Sequence, residues 1–236
     1  MSFQNRRDAG QRLARALVDR GDTDPVVLGI TRGGVPVAFE VARALHAPLD
    51  VIVIRKLGVP LQPELAMGTV GEGGVLTMND AIVQAAGVTR HDLLVIEARE
   101  REKVESQVRQ FRANRARVPL QGRHVVIVDD GVATGATAEA ACKAARALGA
   151  SKVTLAVPVC ARSAIEMLRH VADEVISLEQ PSSFYSVGQW YADFTQTSDD
   201  EVMQLIESLA AALGGLGPDD GPVDRPSMTP IPPGFE

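Results

Sequence analysis

Two hydrophobic periods alternate along this chain, and their order predicts the architecture. Short apolar runs rich in β-branched residues stand at Val26–Ile30, 49–54, 125–128, 153–157 and 174–178. Each has the length and composition of a strand, and the most apolar of them read as buried on both faces. Between them lie helical patterns over 8–20 (apolar at Leu13, Ala16 and Leu17), 35–46, 138–148, 163–170 and 198–213. A long, heavily charged helix is expected over 91–117, broken near Val118-Pro119. Strands alternating with helices predict an α/β fold with a mostly parallel sheet covered on both faces. Ligands of such sheets collect at the carboxyl ends of the strands, so the loops after Ile30, Ile54 and Val128 are the candidate site. Residues 57–74 are rich in Gly and Pro without sustained periodicity, which predicts a mobile loop with short strands at its edges, 75–78 being one. Residues 1–213 form one expected domain, and 214–236, crowded with Gly, Pro and Asp, an expected flexible tail.

Composition narrows the function classes. The chain has 236 residues, 45% of them hydrophobic, enough for one substantial core; only 4% are aromatic, so that core rests on Val, Leu, Ile and Ala. A net charge of −6 gives no electrostatic case for a nucleic-acid partner. The polar start, residues 1–8, does not read as a signal peptide, and no apolar run approaches membrane-spanning length. Cys142 and Cys160 lie in apolar surroundings without metal-ligand spacing, as expected of reduced core residues in a cytoplasmic protein. The four histidines share no spacing that would make a metal site.

The chemistry concentrates in one run, His124-Val125-Val126-Ile127-Val128-Asp129-Asp130-Gly131-Val132-Ala133-Thr134-Gly135-Ala136-Thr137. A buried strand ends in two adjacent carboxylates, followed by small and hydroxyl residues and then an alanine-rich helix. The loop amides and the helix N-terminus offer unpaired N–H donors to a phosphate, and Thr134 and Thr137 add hydroxyls. The carboxylates are acceptors suited to a sugar diol. The lysine and spacing of a nucleotide P-loop are missing.

This run resembles the phosphoribosyl-diphosphate (PRPP) signature of type I phosphoribosyltransferases, and the chain is similar to bacterial members whose base is unassigned. The resemblance implies the type I fold, a mostly parallel central sheet flanked by helices, with a small hood from the N-terminal segment and about 180–195. It implies that Asp129 and Asp130 hold the ribose hydroxyls, and that Ala133, Thr134, Gly135, Ala136 and Thr137 hold the 5′-phosphate.

Other segments extend the resemblance. Thr31-Arg32-Gly33-Gly34 follows its strand directly, and its glycines let the backbone approach an anion. It resembles the family's pyrophosphate loop, which implies diphosphate contacts from Arg32 and Gly33 and a non-proline cis peptide near Arg32. Arg55-Lys56 places two cations at a strand end, able to neutralise a diphosphate or to stand solvated. With Gly58-Val59-Pro60 the pair resembles the start of the family's catalytic loop. Glu64 and Glu72 flank that loop, and the sequence does not choose between them. The segment 184–194 holds the single Trp and both tyrosines. It resembles the hood of hypoxanthine-type enzymes, which implies Trp190 or Tyr185 stacked on a base and Asp193 near a Mg²⁺–pyrophosphate; core packing is the competing explanation. Ala133 and Ser183 depart from that subfamily, which carries Asp and Lys there to read a 6-oxopurine.

The implied function is Mg²⁺-dependent transfer of the 5-phosphoribosyl group from PRPP to a nitrogen of a small heterocyclic, purine-like base, as in nucleobase salvage. The alternative is a PRPP-binding regulatory or sensor protein without transfer; a nucleoside hydrolase or phosphorylase fits less well, because the motif expects a 5′-phosphate. The long charged helix reads as a salt-bridged solvated face or as a subunit contact, the latter compatible with a homodimer.

Overall fold

The computed structural model describes residues 2–21, 24–113 and 115–214. In chain order the elements are α1 (Arg6–Val18), β1 (Val26–Ile30), α2 (Gly34–Leu45), β2 (Leu49–Ile52), β3 (Ile54–Val59), β4 (Gln62–Gly71), β5 (Leu76–Met78), α3 (Asp80–Ala85) and α4 (Arg90–Arg112). Then follow β6 (His124–Val128), α5 (Ala136–Ala147), β7 (Lys152–Val159), α6 (Arg162–Arg169), β8 (Glu174–Glu179) and α7 (Asp199–Ala212). The predicted tail lies, apart from Gly214, outside the described residues.

Five strands form a wholly parallel sheet in the order β2-β1-β6-β7-β8. The period of two sorts its side chains onto two cores. Val27, Val126 and Val128 pack with α1, α2, α4 and α7, whereas Val26, Leu28, Val125 and Ile127 pack with α5 and α6. Every residue of β1 is buried, as are the last four of β6. Burying each such Val, Leu or Ile side chain contributes on the order of 1.5–3 kcal/mol. This sheet is the mostly parallel, helix-covered architecture that the sequence predicts, and its rigidity fixes where the loops emerge.

Two expectations are corrected. Residues 57–74 are not a mobile loop: β3, β4 and β5 make a separate antiparallel sheet, with register shifts on either side of Gly58. The apolar run 49–54 is accordingly two elements, since the chain leaves the large sheet after Ile52 and enters the small one at Ile54. The long helix ends at Arg112, not 117, because Ala113 takes φ +46° and the Arg112 side chain is drawn into the protein. There it donates to Asp50 at 3.0 Å, Glu72 at 2.8 Å and the Val51 carbonyl at 2.9 Å. Arg117 adds a second ion pair to Glu72. This buried cluster joins β2, the end of β4 and α4, and so docks the small sheet against the large one.

Candidate functional site

Strand β6 delivers Asp129 and Asp130 to the carboxyl edge of the large sheet, next to the end of β1. The Thr31–Arg32 peptide is cis, as the resemblance led us to expect. The glycines after it lie directly against the acids. A Cβ on Gly33 would fall 2.1 Å from Asp130 Oδ2, and one on Gly34 would fall 2.6 Å from the Val128 carbonyl oxygen. A side chain at Gly33 would have to displace the Asp130 carboxylate and one at Gly34 the backbone of the acid pair, so the glycine loop and the acids share one floor.

The carboxylates are unequal. Asp130 is buried; Arg6, from the first turn of α1, donates to its Oδ2 at 2.8 Å, and the Tyr191 hydroxyl donates to its carbonyl at 2.5 Å. Asp129 accepts only from the Asp130 amide, at 2.9 Å, among the described hydrogen bonds. Burial, then the neighbouring Asp130 charge, pushes Asp129 well above the ordinary carboxylate range, and Arg6 and Lys56 only partly offset this. Burial also raises Asp130, with Arg6 pulling the other way.

Beyond the acids, Val132 is pinned between β7 and α6: its amide donates to the Val159 carbonyl at 2.9 Å, and its carbonyl accepts from Ala161 at 2.8 Å. Ala133 and Thr134 stand exposed, and Gly135 turns at φ +87°. Helix α5 then begins without a side-chain cap. Its first internal bond is from Glu139 to the Gly135 carbonyl, so the amides of Ala136, Thr137 and Ala138 have no helical acceptor. This terminus presents three amides without helical acceptors beside two carboxylates.

The other predicted cations separate. Arg32 is half-exposed and lies 3.5 Å from Asp199 at the start of α7. Arg55 and Lys56 do not act side by side: successive residues of β3 point to opposite faces. Arg55 faces α4, donating to Glu100 at 2.6 Å and Gln107 at 3.2 Å. Lys56 is exposed, and its charge reaches Asp129. Glu72 is buried in the Arg112 cluster, while Glu64 is exposed.

A small hood covers the acids from two distant pieces of chain. Phe3 bridges Tyr191, the Ala192 amide donates to Phe3 and the Asp193 amide to Gln4. Tyr191 lies between Phe3 and Phe194, ring centroids 5.4 and 5.0 Å away. Trp190 is instead stacked on Phe184 at 6.3 Å, and Tyr185 is 88% exposed. The aromatic residue that reaches the acid pair is Tyr191, through its hydroxyl. Asp193 is exposed and accepts from the Thr195 amide and hydroxyl, which hold its carboxyl below the ordinary range. Arg6 was not foreseen at all. Arg6, followed by Arg7 at a helix start, carries no sequence signal of a contact made 124 residues away.

The chain matches the family model described as "Phosphoribosyl transferase domain" over residues 3–195. Two Mycobacterium tuberculosis proteins, from strains CDC 1551 / Oshkosh and ATCC 25618 / H37Rv, carry the provisional name phosphoribosyl transferase. Each is 48% identical over 224 residues, covering 95% of this chain and 51% of the relative. The chain thus spans about half the length of the curated relatives it matches. The crystal structure of TT1426 from Thermus thermophilus superposes with a TM-score of 0.75 at 42% identity, covering 89% of this chain and 99% of that one.

Proposed function

Since the chain belongs to the type I phosphoribosyltransferase family, we propose that it moves the 5-phosphoribosyl group of PRPP onto a nitrogen of a heterocyclic, purine-like base. The observation that carries this reading is the position of Asp129 and Asp130, set between two anion-binding loops at one sheet edge. The acids accept from the ribose hydroxyls. The 5′-phosphate takes the amides and hydroxyls of Ala133, Thr134, Gly135, Ala136 and Thr137. Arg32, Gly33 and Lys56 face the diphosphate, while Arg55, neutralised by Glu100, acts on the fold. The C1–O bond to diphosphate breaks, the C1–N bond forms, and the departing charge is met by fixed cations and amides.

Oxygen donors at the acid pair suit a hard cation. Among the described residues no group of three or more His, Cys, Asp or Glu is assembled to hold a metal. Mg²⁺ bound with the substrate would lie beside Asp129 and Asp130 and would supply neutralisation of the diphosphate charge. Asp193, turned onto Thr195, is not needed as a ligand.

No helix of the described residues is long and apolar enough to cross a membrane. Cys142 and Cys160 are buried and unpaired, and burial pushes their thiols up to about 12 and about 11. Such inert thiols fit a cytoplasmic setting.

The test is calorimetric titration with PRPP and Mg²⁺, followed by pyrophosphate release across purines, pyrimidines and other azoles. Saturable binding and turnover on one base class are expected; absence of saturable PRPP binding refutes the proposal. The sequestered Arg55 favours one second reading, a PRPP-binding regulator. Binding without turnover on any base would establish it.

A further inference from the structure

The clasp between the hood and the acid pair is made by Arg6, which belongs to no motif of the signature. Its Nε donates to Asp130 Oδ2 at 2.8 Å and its Nη1 to the Thr195 carbonyl at 2.6 Å. Its guanidinium carbon lies 3.9 Å from the centroid of the Phe194 ring. Both ends of the ion pair are nearly enclosed, at 12% and 13% side-chain exposure. The placement is built from both hood segments: Phe3 and Tyr191 pair as a bridge, Asn5 caps α1 through the Asp8 amide, and Arg6 follows as the first helical residue. Among the described residues Arg6 is the one cation in hydrogen-bond contact with either carboxylate.

We propose that Arg6 is a positioning residue for the transferred ribose: through Asp130 it holds the acid pair oriented and charged for the diol, and holding Arg6 in place is a function of the hood. The inference rests on the PRPP reading above. The physical reason is that two adjacent carboxylates in one enclosed site repel, and an unpaired one takes a proton or swings away. A protonated Asp130 offers the diol a donor where an acceptor is needed. Arg6 occupies only Oδ2, which leaves Oδ1 for a ribose hydroxyl. The planar guanidinium also stacks on Phe194, which a lysine ammonium does less well.

The groups facing Asp130 are Arg6 from α1, the adjacent Asp129, and Tyr191 from the hood; Lys56 from β3 acts on Asp129. Removing Arg6 therefore leaves Asp130 without a cation in contact.

The experiment compares wild type, Arg6→Ala, Arg6→Lys and the hood control Arg12→Ala. Arg12 lies over Phe3 at 5.5 Å and makes no described contact with the acids. PRPP affinity is read by calorimetry with Mg²⁺ from pH 6 to 9, and the Asp130 carboxyl by ¹³C NMR titration without ligand. Arg6→Ala is expected to lose PRPP affinity by roughly 10- to 100-fold at neutral pH. It should recover part of the loss at high pH, and its Asp130 resonance should titrate at higher pH than in wild type. Arg6→Lys should be intermediate, and Arg12→Ala close to wild type. If Arg6→Ala folds and keeps wild-type affinity, or if its loss is independent of pH and the Asp130 titration is unmoved, Arg6 is no more than a hood anchor. An unfolded Arg6→Ala shifts the decision to Arg6→Lys, where an unchanged profile overturns the proposal. Wild-type silence toward PRPP would instead overturn the parent reading, and this one with it.

Discussion

Gly33→Ala isolates the contact between the two loops of the site. The Gly33 backbone sits at φ −61°, ψ −30°, a conformation that alanine adopts freely, so the substitution acts through its methyl group alone. That methyl would lie 2.1 Å from Asp130 Oδ2 and 2.9 Å from its Cγ. Carbon–oxygen contacts sit at about 3.3 Å or more, so the carboxylate must retreat by about 1 Å. Such a displacement of a group that orients substrate costs about 100-fold in rate, near 2.7 kcal/mol of transition-state stabilisation. The stability cost is that of crowding one methyl into a packed site, about 1–3 kcal/mol, and less if Asp130 yields easily. Gly34→Ala is the contrasting case. Its methyl would meet the backbone, 2.6 Å from the Val128 oxygen and 2.8 Å from the Asp129 Cα, and β6 cannot move aside. Expected outcomes are therefore a folded Gly33→Ala protein with PRPP binding and pyrophosphate release cut about 100-fold, and a Gly34→Ala protein with its melting temperature lowered first. A folded Gly33→Ala variant with wild-type PRPP affinity would refute the idea that the glycine loop shapes the acid pair.

Three further perturbations test the division between site and scaffold. Lys56→Ala should weaken PRPP binding with little change in melting temperature, whereas Arg55→Ala, which cuts the tie between β3 and α4 and leaves the enclosed Glu100 to Lys103 and Arg99, should lower stability; the reverse pattern in calorimetry and melting would reassign the two. Arg112→Leu leaves Asp50 and Glu72 enclosed with one cation fewer, at a cost of about 3 kcal/mol, or very roughly 6–12 °C in melting temperature. Asp129→Asn should stabilise the fold at neutral pH while lowering PRPP affinity. The folded carboxyl binds its proton more tightly than the unfolded one, near 3.9, so native stability falls as pH rises through that window and stays lowered above it. Asparagine lacks this penalty, so the melting advantage of the variant should grow from pH 4 to pH 8; a constant difference would mean that Asp129 is not raised.

How far the sequence reveals this molecule depends on how local each signal is. The run 124–137 was legible because strand, acids, turn and helix start follow one another in the chain, each with its own composition. The antiparallel sheet was not. In β4 the first four residues are exposed and the last three buried, so there is no alternation to detect, and its Gly and Pro residues imitate a loop. The end of α4 was misplaced because Ala113 carries no stop signal, and it is the pull of Asp50 and Glu72 on Arg112 that turns the chain. Arg55-Lys56 was legible as a cationic pair, but only its place on a strand reveals that the two side chains diverge. The aromatic segment pointed to the hood, yet which ring reaches the acids depends on the bridge between Phe3 and Tyr191, a pairing between distant parts of the chain.

The same logic explains why the scaffold is so uniform and the site so costly. Asp129 and Asp130 sit against each other with one direct cation between them, an arrangement that burial and repulsion both oppose. It persists because the strands beneath are buried on both faces and cannot relax to relieve it. Arg6 offsets part of the cost at Asp130, and no described cation contacts Asp129. A ligand that presents hydroxyl donors to both carboxylates thus supplies to Asp129 what the protein does not. On the proposed function, this unequal pairing of the two acids is what fits this edge of the sheet to a diol.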